Sequence, residues 1–503
     1  MSQDPSTARG DQPNRVTKPV VIGMMAFAVM NFMTVVSLRG LPAQAEYGLV
    51  SIFYYIFAAV VFLIPTALVA AELASTFPKQ GGVFRWVGEA FGPRWGFAAV
   101  YWQWQAWVLW LPAVLVFGAA AVAFILWPQS FDAALAKNKL YSMVVLLVVF
   151  WAVTVFTFRG IQASVKLSTI SGILGTIVPG AILIILAGVY VAMGKPIRMS
   201  LHTGFLPDFG DWHSMVLAAS IFLFYAGMET QAVHVKNLKN PSRDYPLSIL
   251  IATIMTVVIF VFGTLAVGVV IPHKSINLAL SLLVAYRDLW SSLGVPWLGN
   301  VMALMVAIGV LGQVTVVASG PSTGLLAVGK AGYLPKILQK TNAHGISIPI
   351  LLMQAIIVTF LCVIFLVMPS VQSVFQILSQ ISNIMFLTMY TVMFVAAIAL
   401  RYTQPNIARP FRIPGGNVGM WIVGLVGLAG ALIAGALSFA PPNQIGTGSA
   451  VIYVGILLAG TAIEVAIPFI IFAFRKKTWK ASDSDFEPFE AQAKDPEPVE
   501  QAA

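Results

Sequence analysis

The stretch LFYAGMETQAVHVKN, residues 223–237, decides the fold. It continues an apolar helix, then meets Gly227, Glu229 and His234 before any loop has begun. A carboxylate at the bilayer centre costs about 2.5–3.5 kcal/mol on insertion scales, so Glu229 is expected to face protein or a water-filled cavity. Gly227 follows the aromatic pair Phe224 and Tyr225, where a helix can unwind cheaply. Unwound backbone is tolerated at membrane depth only where it is buried or lines a cavity. The expectation is a discontinuous helix at a binding site, with Leu223, Phe224, Tyr225, Ala226 and Gly227 at the break. A tightly packed glycine, with Glu229 bonded to a neighbouring helix, stays open on this window alone.

The rest of the chain supplies the membrane. Of 503 residues, 59% are hydrophobic and 10% charged, against about 25% charged in soluble proteins. Apolar runs long enough to cross a core of roughly 30 Å recur throughout. They predict an all-α integral membrane protein with twelve spans, near 19–41, 47–74, 95–127, 141–158, 165–193, 214–235, 245–272, 296–320, 348–368, 372–400, 417–438 and 450–474. Val20–Leu38 has no small-residue cleavage site and leads into a second span, so it reads as a span and not a signal peptide. Cys362 is the single cysteine and the five histidines are scattered, so neither a disulfide, a metal centre nor a cofactor is expected. The net charge of +10 does not point to nucleic acid, because the basic residues sit in short loops. With the N-terminus cytoplasmic, 22 Lys and Arg fall on that side and 6 on the other. The positive-inside rule therefore places both termini in the cytoplasm. Residues 1–17 and 476–503 read as disordered cytoplasmic tails around a transporter domain at 18–475. The acidic C-terminal tail reads as a solvated end or as a flap over the cytoplasmic mouth.

Span 1 carries a second interruption. MNFMTVVSLRGLPAQAEYG (30–48) places Thr34, Ser37, Arg39, Gly40 and Pro42 at the end of an apolar run. Interrupted spans five apart are the pattern of an inverted five-helix repeat, with substrate held between two broken helices. In span 10, Gln376, Ser379, Gln380 and Asn383 form one helix stripe, lining a pathway or bonding neighbouring helices. In span 3, YWQWQAWVLW (101–110) places Gln103, Trp107 and Trp110 along one face. Glu464 is expected to serve packing or an oligomer contact. Glu72 reads as a buried ionisable group or as one reaching the interface, and Lys166 as a coupling group or an interfacial charge. Arg39 has two readings: a cytoplasm-distal arginine reaching headgroups, or a vestibule charge that favours acidic substrates.

KQGGVFRWVGEAFGPRWGFAA (79–99), GMETQAVHVKNLKNPSRDYPLSI (227–249), ASGPSTGLLAVGKAGYLPK (318–336) and RPFRIPGG (409–416) occur in order. They resemble the loops and sixth span of amino acid–polyamine–organocation superfamily transporters. With VIPHKSINL (270–278) and APPNQIGTGSAVIYV (440–454), the likeness is closest to bacterial glutamate/γ-aminobutyrate antiporters. The resemblance implies a five-plus-five inverted repeat with two extra C-terminal helices, in a bacterial cytoplasmic membrane. It implies exchange of small amino acids by alternating access, by a monomer or homodimer; a proton- or sodium-coupled symporter is the alternative. The unwound segment of span 1 falls on Thr34, Val35, Val36, Ser37 and Leu38, and departs from the family's Gly-Ser-Gly type. Leu223 stands where a gating aromatic is common, and the gate region of span 8 falls near Gln313–Thr315. Glu229 becomes the candidate for protonation-linked change. No clustered His, Asp or Cys site suggests an enzyme, and no charge rings suggest a channel.

Overall fold

A computed structural model describes residues 21–126, 131–199, 204–207, 219–272, 275–277, 280–367, 371–440, 449–480 and 486–489. Among them the chain is helical throughout, with one isolated bridge between Ile22 and Leu238 in place of any sheet. Spans 1 to 5 are Met24–Ala45, Val50–Thr76, Pro93–Ile125, Lys139–Thr157 and Ile161–Ala192. Span 6 is short and divided into Ser220–Tyr225 and Thr230–Asn237. Spans 7 to 12 are Pro241–Val270, Leu298–Lys330, Ile348–Val367, Val371–Thr403, Gly416–Ser438 and Ala450–Ala473. The twelve segments and the sequence reading agree except at two places. The start expected for span 6, 214–218, lies outside the described residues. Span 8 runs ten residues past the expected end at 320, through Pro321. Its hydroxyls explain the continuation: Ser322 and Thr323 bond back to the carbonyls of Ala318 and Ser319, holding the turn around the proline.

Local sequence sets the entry to span 3. The amphipathic helix Val83–Phe91 stops at Gly92, whose φ is +85°, and Pro93 opens the span. Glycine past a helix end and proline at a helix start is the expected asymmetry.

Lipid gives helices no hydrophobic reason to associate, so close packing and small residues carry the core. Spans 5 and 8 cross at Gly175 and Gly309, where an added Cβ on Gly175 would lie 2.1 Å from the Gly309 nitrogen. Span 2 contains a π-helical turn at Ala59–Leu63, and Phe62 in it contacts Phe222 and Tyr390, ring centroids 5.3 and 5.0 Å away.

Ion pairs tie the segments at both ends. Glu72 is 2% exposed and takes both Nε and Nη2 of Arg401 at 2.6 and 2.7 Å, with the Ile413 N–H at 2.8 Å. This corrects the interfacial expectation: the carboxylate is sequestered because span 10 and the following loop fold over it. Glu464 accepts a hydrogen bond from Gln105 of span 3 at 3.0 Å, which is the packing role. Arg287 pairs with Asp132 at 3.1 Å at the opposite end of the bundle. Within the segment read as a disordered acidic tail, residues 486–489 dock on Val83–Phe91. Phe489 is 1% exposed beside Gly88, and Arg85 donates to the carbonyls of Glu487 and Pro488. Phe486 and Phe489 are the apolar anchors that composition alone concealed.

Candidate functional site

Both interruptions are real breaks in the helical ladder. In span 1 the helix Met24–Val35 gives way to two extended residues, Val36 (φ −85°, ψ 112°) and Ser37 (φ −115°, ψ 119°). A tight turn, Leu38–Gly40, then leads into Leu41–Ala45. In span 6 the helix ends at Tyr225; Ala226 is extended (φ −74°, ψ 146°) and Gly227 takes φ +116°. A side chain at Gly227 would also collide with the Trp107 ring, 2.8 Å from the Cβ position. Helix ends leave main-chain carbonyls and N–H groups without intrahelical partners. Two breaks side by side concentrate such groups at one depth.

A small cavity, about 10 Å³, lies between the breaks, lined by Thr34, Val35, Ser37, Trp107, Trp110, Leu223, Phe224 and Ala226. All eight of these residues were singled out in sequence. Its wall is aromatic on the span 3 side, where Trp107 and Trp110 meet edge to face at 5.4 Å. Thr34 and Ser37 are the hydroxyl-bearing residues of its lining. At one end of the bundle, Ile22 N–H bonds the Asn237 carbonyl at 2.7 Å, tying the start of span 1 to the end of span 6. At the other, Phe224 packs on Gly40, 3.2 Å from its Cβ position.

Behind the cavity floor lies Glu229, 1% exposed, held by donors. Gln103 Nε2 donates to Oε1 at 2.7 Å and the Thr230 hydroxyl at 3.1 Å. The Tyr390 hydroxyl donates to Oε2. That assignment follows from proton counting. Tyr390 accepts the Gly227 N–H at 2.6 Å, so its single hydrogen is free for Glu229. Likewise Trp107 Nε1 donates to the Thr230 oxygen at 3.2 Å, and Thr230 donates onward. Two relays therefore connect the carboxylate to the cavity: one through Trp107, one through the main chain of the span 6 break.

The breaks are also cross-braced. Gln231 Nε2 donates to the Thr34 hydroxyl at 3.0 Å, and Gln313 Nε2 to the Val36 carbonyl at 3.0 Å. Span 8 therefore reaches span 1 through Gln313, and not through Thr315, whose hydroxyl bonds Leu311 of its own helix.

Other sequence candidates lie elsewhere. Tyr225 turns away from the cavity and donates to the Tyr55 carbonyl at 3.2 Å. Gln380 is buried in span 10, and Asn383 donates to Ser438 of span 11 at 2.8 Å, so the stripe bonds a neighbour there. The Gln376 side chain lies outside the described residues. Lys166 is exposed on span 5. Arg39 is 4% exposed, its guanidinium 5.7 Å from the Trp110 ring centroid, so it does not reach outward to headgroups. The sequence reading missed Tyr390, Thr230 and Gln231. A signal for Tyr390 existed, since it follows Asn383 by seven residues, a separation that returns to the same helix face within about 20°.

Among the described residues no group of His, Cys, Asp and Glu is placed to hold a metal ion.

The amino acid permease family model matches residues 21–461. The chain is 35% identical to an uncharacterised transporter of Legionella pneumophila over 457 residues, covering 91% of this chain and 97% of that one. It is 30% identical over 483 residues to a glutamate/γ-aminobutyrate antiporter of Lactococcus lactis, covering 95% of each. A probable agmatine/putrescine antiporter of the same species is 26% identical over 379 residues, 74% of this chain and 78% of that one. With a helical membrane fold and two spans broken over a shared cavity, the chain belongs to the amino acid permease family of membrane transporters.

Proposed function

We propose that this transporter is an amino acid antiporter of the glutamate/γ-aminobutyrate type, working by alternating access in a bacterial cytoplasmic membrane with both termini inside. The observation that carries the reading is the meeting of the two breaks, at Val36–Ser37 and Ala226–Gly227, on one cavity. The α-carboxylate of a substrate meets N–H groups released at the span 1 break. Its ammonium meets carbonyls released where the span 6 helix ends. These main-chain dipoles suit a zwitterion, and the aromatic wall at Trp107 and Trp110 shields it from water. Access from the second side requires the Ile22–Asn237 tie to open. Likeness to the Lactococcus antiporter supports the substrate pair.

Glu229 is the coupling group of this reading. Its relays run to Trp107 and to Gly227, so a change in its charge reaches both walls of the cavity at once. The test is counterflow. Purified protein goes into liposomes loaded with unlabelled glutamate, and external labelled glutamate or γ-aminobutyrate is added. Uptake that rises steeply with internal substrate is expected. Uptake indifferent to internal amino acid, but driven by a proton or sodium gradient, would replace exchange with symport.

A further inference from the structure

Span 3 donates an amide to two different carboxyls, from opposite faces. Gln103, Trp107 and Trp110 look inward: Gln103 bonds Glu229 at 2.7 Å, and the two indoles wall the cavity. Tyr101 and Gln105 look toward span 12. There Gln105 Nε2 donates to Glu464 Oε1 at 3.0 Å, and the Tyr101 hydroxyl approaches Oε2 at 3.5 Å. At 100° per residue the two sets lie roughly 190° apart on one helix. Glu464 stands in the middle third of Ala450–Ala473 and is half-buried, with Ile463 beside it 60% exposed. A carboxylate at such a depth is costly unless paired, and it escapes that cost by taking up a proton. Among the described residues Glu464 bonds no cation. Spans 3 and 10 pack on span 12. Span 3 brings Tyr101 and, more than a turn nearer the end of the span, Arg94, whose guanidinium lies on the Phe469 ring at 5.0 Å. Span 10 meets span 12 at Gly460 through Ile381. Its titratable groups are engaged elsewhere: Tyr390 at Glu229, Arg401 at Glu72 and Tyr402 at Trp421. The loop after span 8 adds Tyr333, against Phe472. On span 12 itself, Tyr453 and Arg475 stand near the two ends.

We propose that Glu464 is a second proton-binding site, open to the lipid side of the bundle, and a positioning residue that acts on the cavity wall through span 3. The positioning half rests on the amino acid exchange proposed above; the proton-binding half does not. As a neutral acid, Glu464 needs one donor for its carbonyl oxygen, which Gln105 supplies, and its own O–H turns to the Tyr101 oxygen. As an anion it accepts from both, and charge-assisted bonds are shorter. Tyr101, at 3.5 Å, is then the contact with distance to close, and closing it draws span 3 toward span 12. The opposite face follows: Gln103 slackens on Glu229, and Trp107 and Trp110 retreat from the cavity. Pro112 lets that half of the helix tilt, because it has no N–H for the Val108 carbonyl. Glu229 thus acts inside the site, and Glu464 sets how closely the indoles press on it.

Two measurements test the two halves. Wild-type protein in liposomes is treated with dicyclohexylcarbodiimide at about pH 6 and digested for mass spectrometry. The acid adds across a C=N bond of the reagent, its proton going to nitrogen and its oxygen to the central carbon, and nothing leaves. An adduct on Glu464, and none on Glu229, which is 1% exposed, is expected. An unmodified Glu464 overturns the proton site. The second measurement reads KM and kcat separately for glutamate exchange between about pH 6 and about pH 8.5, in wild type and Glu464→Gln. Glu464→Gln keeps both bonds of the neutral acid, its oxygen accepting from Gln105 and its amide donating to Tyr101. The wild-type KM is expected to rise about threefold or more with pH, the size of one lost neutral hydrogen bond, and the Glu464→Gln KM to stay flat at the low value. The pH profile of kcat, set by Glu229, is the same in both, a split that a loss of packing would not give. If Glu464→Gln does not run as a single species on gel filtration, Glu464→Met, uncharged and at home in lipid, decides: its KM is also flat with pH. A wild-type KM flat with pH, or a variant KM that tracks a rising one, overturns the positioning role and leaves the exchange reading standing. Wild type that exchanges no amino acid overturns the exchange reading and the positioning half with it, while the adduct still decides the proton site.

Discussion

Glu229 is held by three donors, and their arrangement fixes what a substitution does. Gln103 Oε1 has no hydrogen-bond partner in the present arrangement. Glu229→Gln is therefore accommodated: the new amide keeps an oxygen for Tyr390 or Thr230, and Gln103 can turn its own amide to accept. This variant is expected to fold, to bind substrate, and to lose the pH dependence of its transport rate. An unchanged pH profile in proteoliposomes removes Glu229 from coupling. Glu229→Leu leaves three buried donors without an acceptor, at about 1–3 kcal/mol each. It is expected to unfold on extraction, measured as aggregation on gel filtration. Gly227 makes a sharper case. At φ +116° a side chain costs roughly 1–2 kcal/mol of backbone strain, and its Cβ meets Trp107 besides. Gly227→Ala is expected to lower the unfolding midpoint and to cut uptake at least about tenfold, the Trp107 displacement showing as a shift in tryptophan emission.

At the scale of elements, the Glu72–Arg401 pair joins span 2 to span 10, the helix that carries Tyr390 to the site. Removing Glu72 strands the Arg401 guanidinium, at about 3–5 kcal/mol, whereas removing Arg401 leaves Glu72 with Arg409 at 3.5 Å and the Ile413 N–H. Glu72→Gln is expected to lower thermal stability in detergent by that order, Arg401→Met by less, and the double variant by less than their sum. Additive losses show that the two side chains do not act as a pair. The same elements show where sequence was legible. Span number follows from hydropathy, which is local. The span 6 break is legible because it needs positive φ, and Gly227 advertises it. The span 1 break has no glycine because Val36 and Ser37 stay at negative φ, in the extended region that a β-branched residue favours. Polar residues with Gly40 and Pro42 marked an interruption there, and likeness to known transporters narrowed it to Thr34–Leu38. Tyr225 and Phe224 look alike in sequence, yet neighbours on a helix point about 100° apart. One lines the cavity and the other bonds Tyr55. Tyr390 stands 161 residues from Glu229; its place on the Asn383 face of span 10 was readable, but its partner at that separation was not.

Across the whole molecule, residues 486–489 return to the helix Val83–Phe91 between spans 2 and 3. The sequence announces acidity there, but two phenylalanines and one arginine decide the outcome. Arg85 pairs with Glu89 at 3.1 Å and bonds two tail carbonyls. Its guanidinium lies 4.6 and 5.0 Å from the Phe486 and Phe489 ring centroids. Lys79 adds a pair with Glu487 at 3.2 Å, which is exposed and contributes little. The docking thus depends on Arg85 and on the space at Gly88, where an added Cβ would come within 2.4 Å of the Phe489 ring. Two unrelated substitutions are expected to release the segment. Arg85→Lys keeps a charge near Glu89 but loses the fork that spans two carbonyls. Gly88→Val leaves Arg85 and Glu89 in place and fills the seat of Phe489. Each is expected to speed limited proteolysis after residue 480 by about tenfold or more, the ratio set by the loss of one charged hydrogen bond. Phe489→Ala should match Gly88→Val, because one removes the ring and the other blocks its seat. Protection unchanged in Gly88→Val, in protein that remains folded, means that Phe489 does not rest on Gly88; protection unchanged in Arg85→Lys means that the Arg85 fork does not hold the tail carbonyls.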